Sequence, residues 1–491
     1  MASALSALRT AALAALLAAA CAGTAEAATP VVRSDPQLFP DFRSSQPDYT
    51  VLCQAGQPVE LKVRPRAGTR VSVAGGSAHR GRFKRNVTLS PGRALQIDIR
   101  SGGKRRAYHV RCVPPDFPHW RVKRESKPQV AWYLLTPSEF DTTKPGYVVL
   151  FDSRGVPVWW RTDTPPPFDA HLLPDGNLAW THIAINNPAS GPAEERSFDG
   201  RLVRTFSTHG TAANEHDLQV QPDGSAYMIA YTPRDHVDLS RWDGPSDATV
   251  LDGDVQQIGP SGELLWHWNT GQHLPLSASG RWLHRLIFDT HPLPLPDGRE
   301  AYDIAHLNSI EPYGGRLLLS NRYNDAVYSI DRRSGRIVWK LGGRKTDQSL
   351  KLTGDPLHKR EFGGQHDART TDGGRTVTVY DNGTLRGRAP RALEWRIDER
   401  ARKARLVNSI HYAPADESVC CGGARRLPGG DWVVSWGHTP YVTEQTGSGR
   451  LVLEIRFADK VASYRAEPIL PGRFDRSKLR RGMDAMAAAR G

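Results

Sequence analysis

Along almost the whole chain, short runs of alternating apolar and polar residues are cut by glycine and proline. This period of two predicts β-strands rather than helices. Residues 30–115 hold five such runs, DYTVLC, VELKVRP, RVSVAG, ALQIDIR and AYHVRC. Strands this short, separated by turn residues, predict a small N-terminal β-sandwich. The proline-rich VPPDFP at 113–118 then reads as a stiff linker.

Beyond the linker the pattern repeats. A turn glycine followed four residues later by a large residue recurs as GVPVW (155–159), GRLVR (200–204), GELLW (262–266), GRIVW (335–339) and GRLVL (449–453). RALEW (391–395) reads as a sixth copy without the glycine. In chain order the first five copies are each followed by a second hairpin: LLPDGNLAW, VQPDGSAYMIAY, IEPYGGRLLLS, TTDGGRTVTVY and RLPGGDWVVSW. Each unit is therefore a pair of hairpins, and its anchors lie 45 to 73 residues apart. Tandem four-stranded units predict an all-β fold, a six-bladed β-propeller over residues 120–470, because closure of the ring hides the sheet edges. A strand from residues 125–150, within QVAWYLLTP or GYVVLFD, is expected to complete the sixth unit. The tryptophans are expected mostly between blades. Long loops at 233–250, 269–300 and 343–360 are candidates for function. Residues 471–491 read as a short basic helix or a frayed tail, with no role assigned.

Composition changes this picture little. It is that of a soluble globular protein, 39% hydrophobic and 24% charged. The excess of 65 Lys+Arg over 52 Asp+Glu favours anionic partners. Those partners range from nucleic acid to small sulfate or phosphate esters, but the basic residues are mixed with acids and neither a recognition helix nor a zinc finger appears, which argues against nucleic acid. An Arg-rich solvated surface accounts for most of the excess. Residues 1–29 read as an export signal: one arginine, an Ala/Leu run, and Ala25-Glu26-Ala27 as a cleavage site. LLAAAC, ending at Cys21, loosely resembles a lipoprotein box, with Ala18 where leucine is usual. The expected product is secreted or held at the cell envelope, with membrane attachment only through a lipid on Cys21. Asn86-Val87-Thr88 is a formal glycosylation sequon to which no weight is given.

Export permits disulfides. Cys53 and Cys112 lie in the two outer strand-like runs of the N-terminal segment and are expected to be bridged. Cys420 and Cys421 are neighbours, with Cα atoms ~3.8 Å apart, whereas disulfides prefer about 4.4–6.8 Å. A bond between them would be strained and redox-labile; the alternative is two unpaired thiols.

The candidate chemistry emerges from one register. Aligning the second hairpins on their turn glycines places His216 eight residues before Gly224, His306 eight before Gly314 and His366 eight before Gly374. Phe168 and Gly422 occupy that register in the flanking units. If these hairpins supply the inner strands, the three imidazoles converge at one mouth of the channel. Arg322 lies eight residues after Gly314, so a hairpin with equal arms sets it beside His306. Asn308, two residues on from His306, falls on the same strand face. Each histidine alone is more readily structural; together they define a site.

Three histidines could hold zinc, but a guanidinium directed into a cation site opposes it. Arginine with asparagine and histidine instead makes an oxyanion cradle. Imidazole can also act as a nucleophile, since its pKa of ~6.5 leaves much of it unprotonated at neutral pH. Transfer of a loosely bonded SO₃ or PO₃ group asks mainly for positioning and charge stabilisation.

The stretches DIAHLNSIEPYGGRLLLSNR, FGGQHDA and GGARRLPGGDWVVSWG, with HDLQV upstream, resemble the bacterial arylsulfate sulfotransferases over about residues 125–470. The resemblance is specific at HLNS…SNR and GGQHD and loose elsewhere. It implies a six-bladed propeller behind a small β-sandwich, and transfer of a sulfuryl group from a phenolic sulfate ester to another phenol. No nucleotide sulfate donor, cofactor or metal is implied, and the route is ping-pong through a sulfated histidine. It implies His366 as nucleophile, His216, His306, Asn308 and Arg322 around the sulfuryl oxygens, and a histidine as carrier of the phenol proton. The chain departs from the family in its shorter length and in its adjacent Cys420 and Cys421, which replace a spaced disulfide. Alternatives are a sulfate or phosphate ester hydrolase on the same cradle, a non-catalytic propeller binding an anion or protein, and, last, a quinone-dependent dehydrogenase, for which the calcium-binding carboxylates are missing.

Overall fold

The computed structural model describes residues 30–54, 56–184, 190–357 and 362–489. The expected export signal, with Cys21, lies outside them. The protein is all-β. Among the described residues, no helix is long and apolar enough to cross a membrane.

Near the N-terminus, a three-stranded sheet (Val31–Asp35, Pro58–Arg64, Phe83–Thr88) faces a four-stranded one (Asp48–Leu52, Lys104–Val113, Ala94–Ser101, Thr69–Val73). Leu61 and Val63 from the first pack with Val71, Ile97 and Val110 from the second in one core. Cys53 and Cys112 are joined by a disulfide inside it, with Cα atoms 5.5 Å apart. Their segments are neighbours: Asp48–Leu52 pairs in parallel with the end of Lys104–Val113.

Residues 120–469 form six further sheets, each built on four antiparallel strands. Six strands, one from each sheet, meet in a closed circle: β1 (Pro167–Leu172), β2 (Ala213–Val220), β3 (Leu307–Tyr313), β4 (His366–Thr371), β5 (Gly423–Arg426) and β6 (Ala462–Ile469). Trp159, Trp180, Trp268, Trp339, Trp395 and Trp432 are fully buried, and each belongs to a strand of these sheets. Both ends of the chain close the circle. β6 pairs with Trp132–Ser138, and Trp120–Arg124 adds to the outer edge of Leu451–Phe457. The closing sheet thus takes three strands from the N-terminal side and its innermost strand from the C-terminal side.

Two details of the repeat differ from the sequence expectation. Four of the six sheets begin with the second hairpin and end with the turn-glycine motif of the next unit, so the units straddle sheet boundaries. RALEW is not a sixth copy of that motif. It opens the third strand of its sheet, Arg391–Asp398, whereas the other copies each enter the fourth strand counted outward from the circle. The true counterpart is Lys403–Ile410, reached through a turn where Arg402 takes a left-handed φ of 53°. An arginine there removes the glycine signal that marks the other turns.

Residues Arg476–Ala489 form a helix, α1. It buries Leu479, Met483 and Met486 against the circle's aromatic core, while Arg476 pairs with both Asp48 and Asp152 and Arg480 with Asp48. The helix ties the N-terminal unit to the first sheet.

Candidate functional site

At one mouth of the circle lies a cavity of about 540 Å³ whose walls include His216, His306, His366 and Arg322. The hairpin logic explains the convergence. β2 carries His216, His306 immediately precedes β3, and β4 opens with His366. The backbone N–H of Arg322 donates to the carbonyl of His306 at 3.0 Å, which sets the guanidinium beside that imidazole. The rings of His216 and His306 meet edge to face, 4.7 Å apart. Phe168, at the same register in β1, lines the cavity and stacks on Tyr464 at 3.8 Å.

The tautomer of His366 follows from its neighbours. Nδ1 lies 2.9 Å from the Gly364 carbonyl and 2.8 Å from Asn382 Oδ1. The Asn382 amide is fixed by its Nδ2, which donates to Ser418 Oγ and to the Cys421 carbonyl. Both partners of Nδ1 are therefore acceptors, so Nδ1 carries the proton and Nε2 the lone pair. That lone pair accepts the backbone N–H of Cys421 at 3.2 Å. Burial, with the nearby Arg322 charge, holds the imidazole well below its ordinary pKa, and the ring is neutral at physiological pH. Its Nε2 is thus a desolvated, unprotonated nitrogen.

The other two imidazoles are held differently. Asn214 Oδ1 takes Nδ1–H of His216 at 2.5 Å, and burial followed by the charges around it keeps this ring neutral as well. His306 is gripped by a carboxylate, Asp303, 2.6 Å from its Nδ1. The residue adopts a left-handed φ of 50°, and Asp367 and Cys421, beside the same cavity, do likewise at 54° and 65°. Non-glycine residues are held in such conformations only where the surrounding fold over-determines them, often at active sites.

Arg322 is the electrostatic centre. Its Nη2 donates to the Val419 carbonyl at 2.7 Å and its Nη1 to Tyr323 Oη at 3.2 Å, and the guanidinium lies over the rings of Trp282 and Tyr323. Its Nε is buried without a partner, and among the described residues Arg322 makes no ion pair. A guanidinium with donor capacity to spare and no carboxylate in contact is arranged for an incoming anion.

Beneath the imidazoles, ion pairs fill the axis. Arg465 reaches Asp169 (2.9 Å), Asp217 (3.5 Å) and Asp367 (3.4 Å), and Arg369 reaches Asp217 and Asp367, each at 2.9 Å. This explains the two His-Asp pairs in the sequence: the histidine faces the cavity while the following aspartate joins the plug that floors it. Asp169, His171 and Asp217 bring potential metal-ligand atoms together there. Arg465 already supplies positive charge, and although burial opposes it, Asp169 and Glu467 carry the His171 imidazole up to about 10, which makes it a second cation. The donors fit salt bridges better than a metal.

Asn308 does not line the cavity. Its Nδ2 donates to the Gln365 carbonyl at 2.8 Å, one residue before His366, and its own carbonyl accepts from Arg465. The strand is irregular between Leu307 and Ser309, so simple alternation from His306 does not reach Asn308. Sequence reasoning passed over Asp303, Asn382, Asn214 and Glu215. Asn382 was findable: it lies eight residues after Gly374, the spacing that located Arg322. Cys420 and Cys421 also line the cavity, as free thiols with sulfurs 2.7 Å apart.

A family model described as Arylsulfotransferase (ASST) matches residues 195–458. No curated protein matches the chain. Among solved structures it is similar to a protein of unknown function from Bacteroides caccae, at 12% identity over 69% of this chain and 99% of that one, with a TM-score of 0.41. The β-propeller domain of Myceliophteria thermophila Cps50 (Swd1) is 12% identical over 69% and 89%, with a TM-score of 0.35. A streptogramin B lyase is 9% identical over 87% and 98%, with a TM-score of 0.34.

Proposed function

Because this chain belongs to the arylsulfotransferase family, we propose that it moves a sulfuryl group from a phenolic sulfate ester to an acceptor phenol through a sulfated His366, without a nucleotide donor. In this reading the circle of six sheets is a six-bladed β-propeller over residues 120–470, and the N-terminal two-sheet unit, residues 30–115, is a β-sandwich. The buried disulfide favours an oxidising, exported setting for the chain.

The observation that carries the proposal is Arg322, a cation without an ion-pair partner among the described residues, in a cavity shared with the unprotonated Nε2 of His366. The ester's sulfuryl oxygens take the guanidinium, while Phe140 and Phe168 on the cavity wall receive the aryl ring. Nε2 of His366 gives up the Cys421 backbone N–H and attacks sulfur as the sulfur–oxygen bond to the phenol breaks. No proton has to leave His366. The new cation on the ring is delocalised toward Nδ1–H, which already donates to Asn382 and Gly364. His306, held by Asp303, is placed to exchange the proton of the phenol oxygen, and His216 packs against it to complete the cradle. Asn308 supports His366 from behind through Gln365. In the second half the acceptor phenol gives its proton to His306, its oxygen attacks sulfur, and His366 departs as neutral imidazole. The cavity's mixture of aromatic and apolar walls suits an aryl group in both halves.

The test is direct. Purified protein with 4-nitrophenyl sulfate and phenol should release nitrophenol in proportion to acceptor, and a peptide containing His366 should gain the mass of SO₃ when acceptor is withheld. Release indifferent to added phenol would identify a hydrolase instead. No release and no adduct across several donors would end the transferase reading.

A further inference from the structure

The cavity holds a second carboxyl group that the reaction above does not use. Glu215 lies on its wall next to His216, although neighbours on a regular strand face opposite ways. β2 is irregular between Ala213 and Leu218, and that irregularity turns both side chains inward. Glu215 is 7% exposed. Its Oε2 accepts from Asn214 Nδ2 at 2.7 Å, and backbone N–H groups of Ala184 and of Glu215 itself also face the carboxyl. Among the described residues it makes no ion pair. The groups facing it are Asp303 and Tyr231 from the same sheet, Cys421 from the loop before β5, and His216 and His306 from the circle. Asp303 is an acid, and burial holds the Tyr231 hydroxyl and the Cys421 thiol well above their ordinary pKa values.

A sulfate ester arrives as an anion, and Arg322 is the cavity wall's fixed positive charge. Asp303 already places one carboxylate there. A second would turn the net field against the ligand. We infer that Glu215 stands in the cavity as a carboxylic acid, and that its ionisation is what closes the site to aryl sulfates in alkaline solution. This makes it a positioning and selectivity residue that acts through the field on the anion. It rests on the transferase reading for its link to turnover, but not for its link to anion binding. Burial, aided by the charge of Asp303 and opposed by the backbone N–H groups of Glu215 and Ala184, pushes its carboxyl up to about 8. The acid form therefore predominates at neutral pH and gives way to the carboxylate above pH 8. The acceptor, a neutral phenol, is spared.

Cys420 is the rival titrating group. The neighbouring Cys421 thiol and Arg322 lower its pKa despite burial, and a thiolate there would also oppose the guanidinium. The experiment separates the two. Above pH 8, kcat/KM for 4-nitrophenyl sulfate should fall about tenfold per pH unit in the wild type and in Cys420→Ser, and stay level in Glu215→Gln. The KM for phenol should not move with that limb. Independently of turnover, calorimetric binding of 4-nitrobenzenesulfonate, which cannot transfer its group, should take up close to one proton at pH 9 and none at pH 7 in the wild type, and none at either pH in Glu215→Gln. Loss of turnover with this uptake intact would sink the transferase and leave the inference standing. Absence of uptake at pH 9 in the wild type, or an alkaline limb unchanged in Glu215→Gln or abolished by Cys420→Ser, would overturn the inference.

Discussion

Replacing Arg322 by methionine separates a cradle from a structural pillar, because the two roles predict opposite effects on stability. The guanidinium sits partly out of water with a buried, unpartnered Nε and no ion pair among the described residues. Such a charge carries a desolvation penalty of several kcal/mol. Against this stand two charge-assisted hydrogen bonds, to Val419 O and Tyr323 Oη, of about 1.5–3 kcal/mol each, and its packing over Trp282 and Tyr323. Methionine keeps much of the packing volume, so the opposing terms nearly cancel and the unliganded melting midpoint should shift by no more than about 2 °C. Function should not survive. Two charge-assisted contacts to the sulfuryl oxygens, at about 1.5–3 kcal/mol each, amount to a loss of roughly 10²–10⁴ in kcat/KM for the donor. The assay pairs nitrophenol release with thermal melting, with and without 4-nitrobenzenesulfonate. The wild type should gain about 2.7 kcal/mol at a hundred times Kd and the variant almost nothing. A variant that melts many degrees lower while retaining more than a tenth of wild-type kcat/KM would refute the reasoning, since Arg322 would then be holding the fold rather than the substrate.

Other outcomes follow from the same geometry. His366→Ala should abolish acceptor-dependent release and the sulfated peptide together, with the melting midpoint little changed. Because burial and Arg322 depress the pKa of His366, the unprotonated nucleophile persists in mild acid, and donor kcat/KM should stay level from pH 7 to 6; a fall centred at the ordinary imidazole pKa would contradict the environment described here. Asn382→Leu removes one of the two acceptors that fix Nδ1–H, and should cost about 10- to 100-fold in kcat with donor KM nearly constant, as read from single-turnover sulfation of His366. Removing the Cys53–Cys112 bond by double substitution to alanine should destabilise the N-terminal unit by about 2–5 kcal/mol in chemical denaturation while leaving sulfotransfer intact.

Much of this molecule was legible because turns and alternation are local properties of the chain. The turn glycines at 224, 314 and 374 fixed a register, and counting eight residues back found His216, His306 and His366. Counting forward found Arg322 and, had it been repeated, would have found Asn382. The same counting failed where the backbone departs from a regular strand. Asn308 points at Gln365 rather than the cavity, Glu215 turns inward beside His216, and Arg402 makes a turn that other sheets give to glycine.

What the sequence determined by itself was the all-β character, the repeat, and which imidazoles and guanidinium share one level. Only the tertiary structure decided their chemistry. It placed Asn382 and Gly364 against one nitrogen of His366, Asp303 against His306, and a plug of ion pairs beneath them, while leaving Arg322 without an ion pair among the described residues. The reason is physical: protonation state and anion affinity depend on burial and on charges brought together from segments far apart in the chain, whereas strand and turn preferences are written within a few residues.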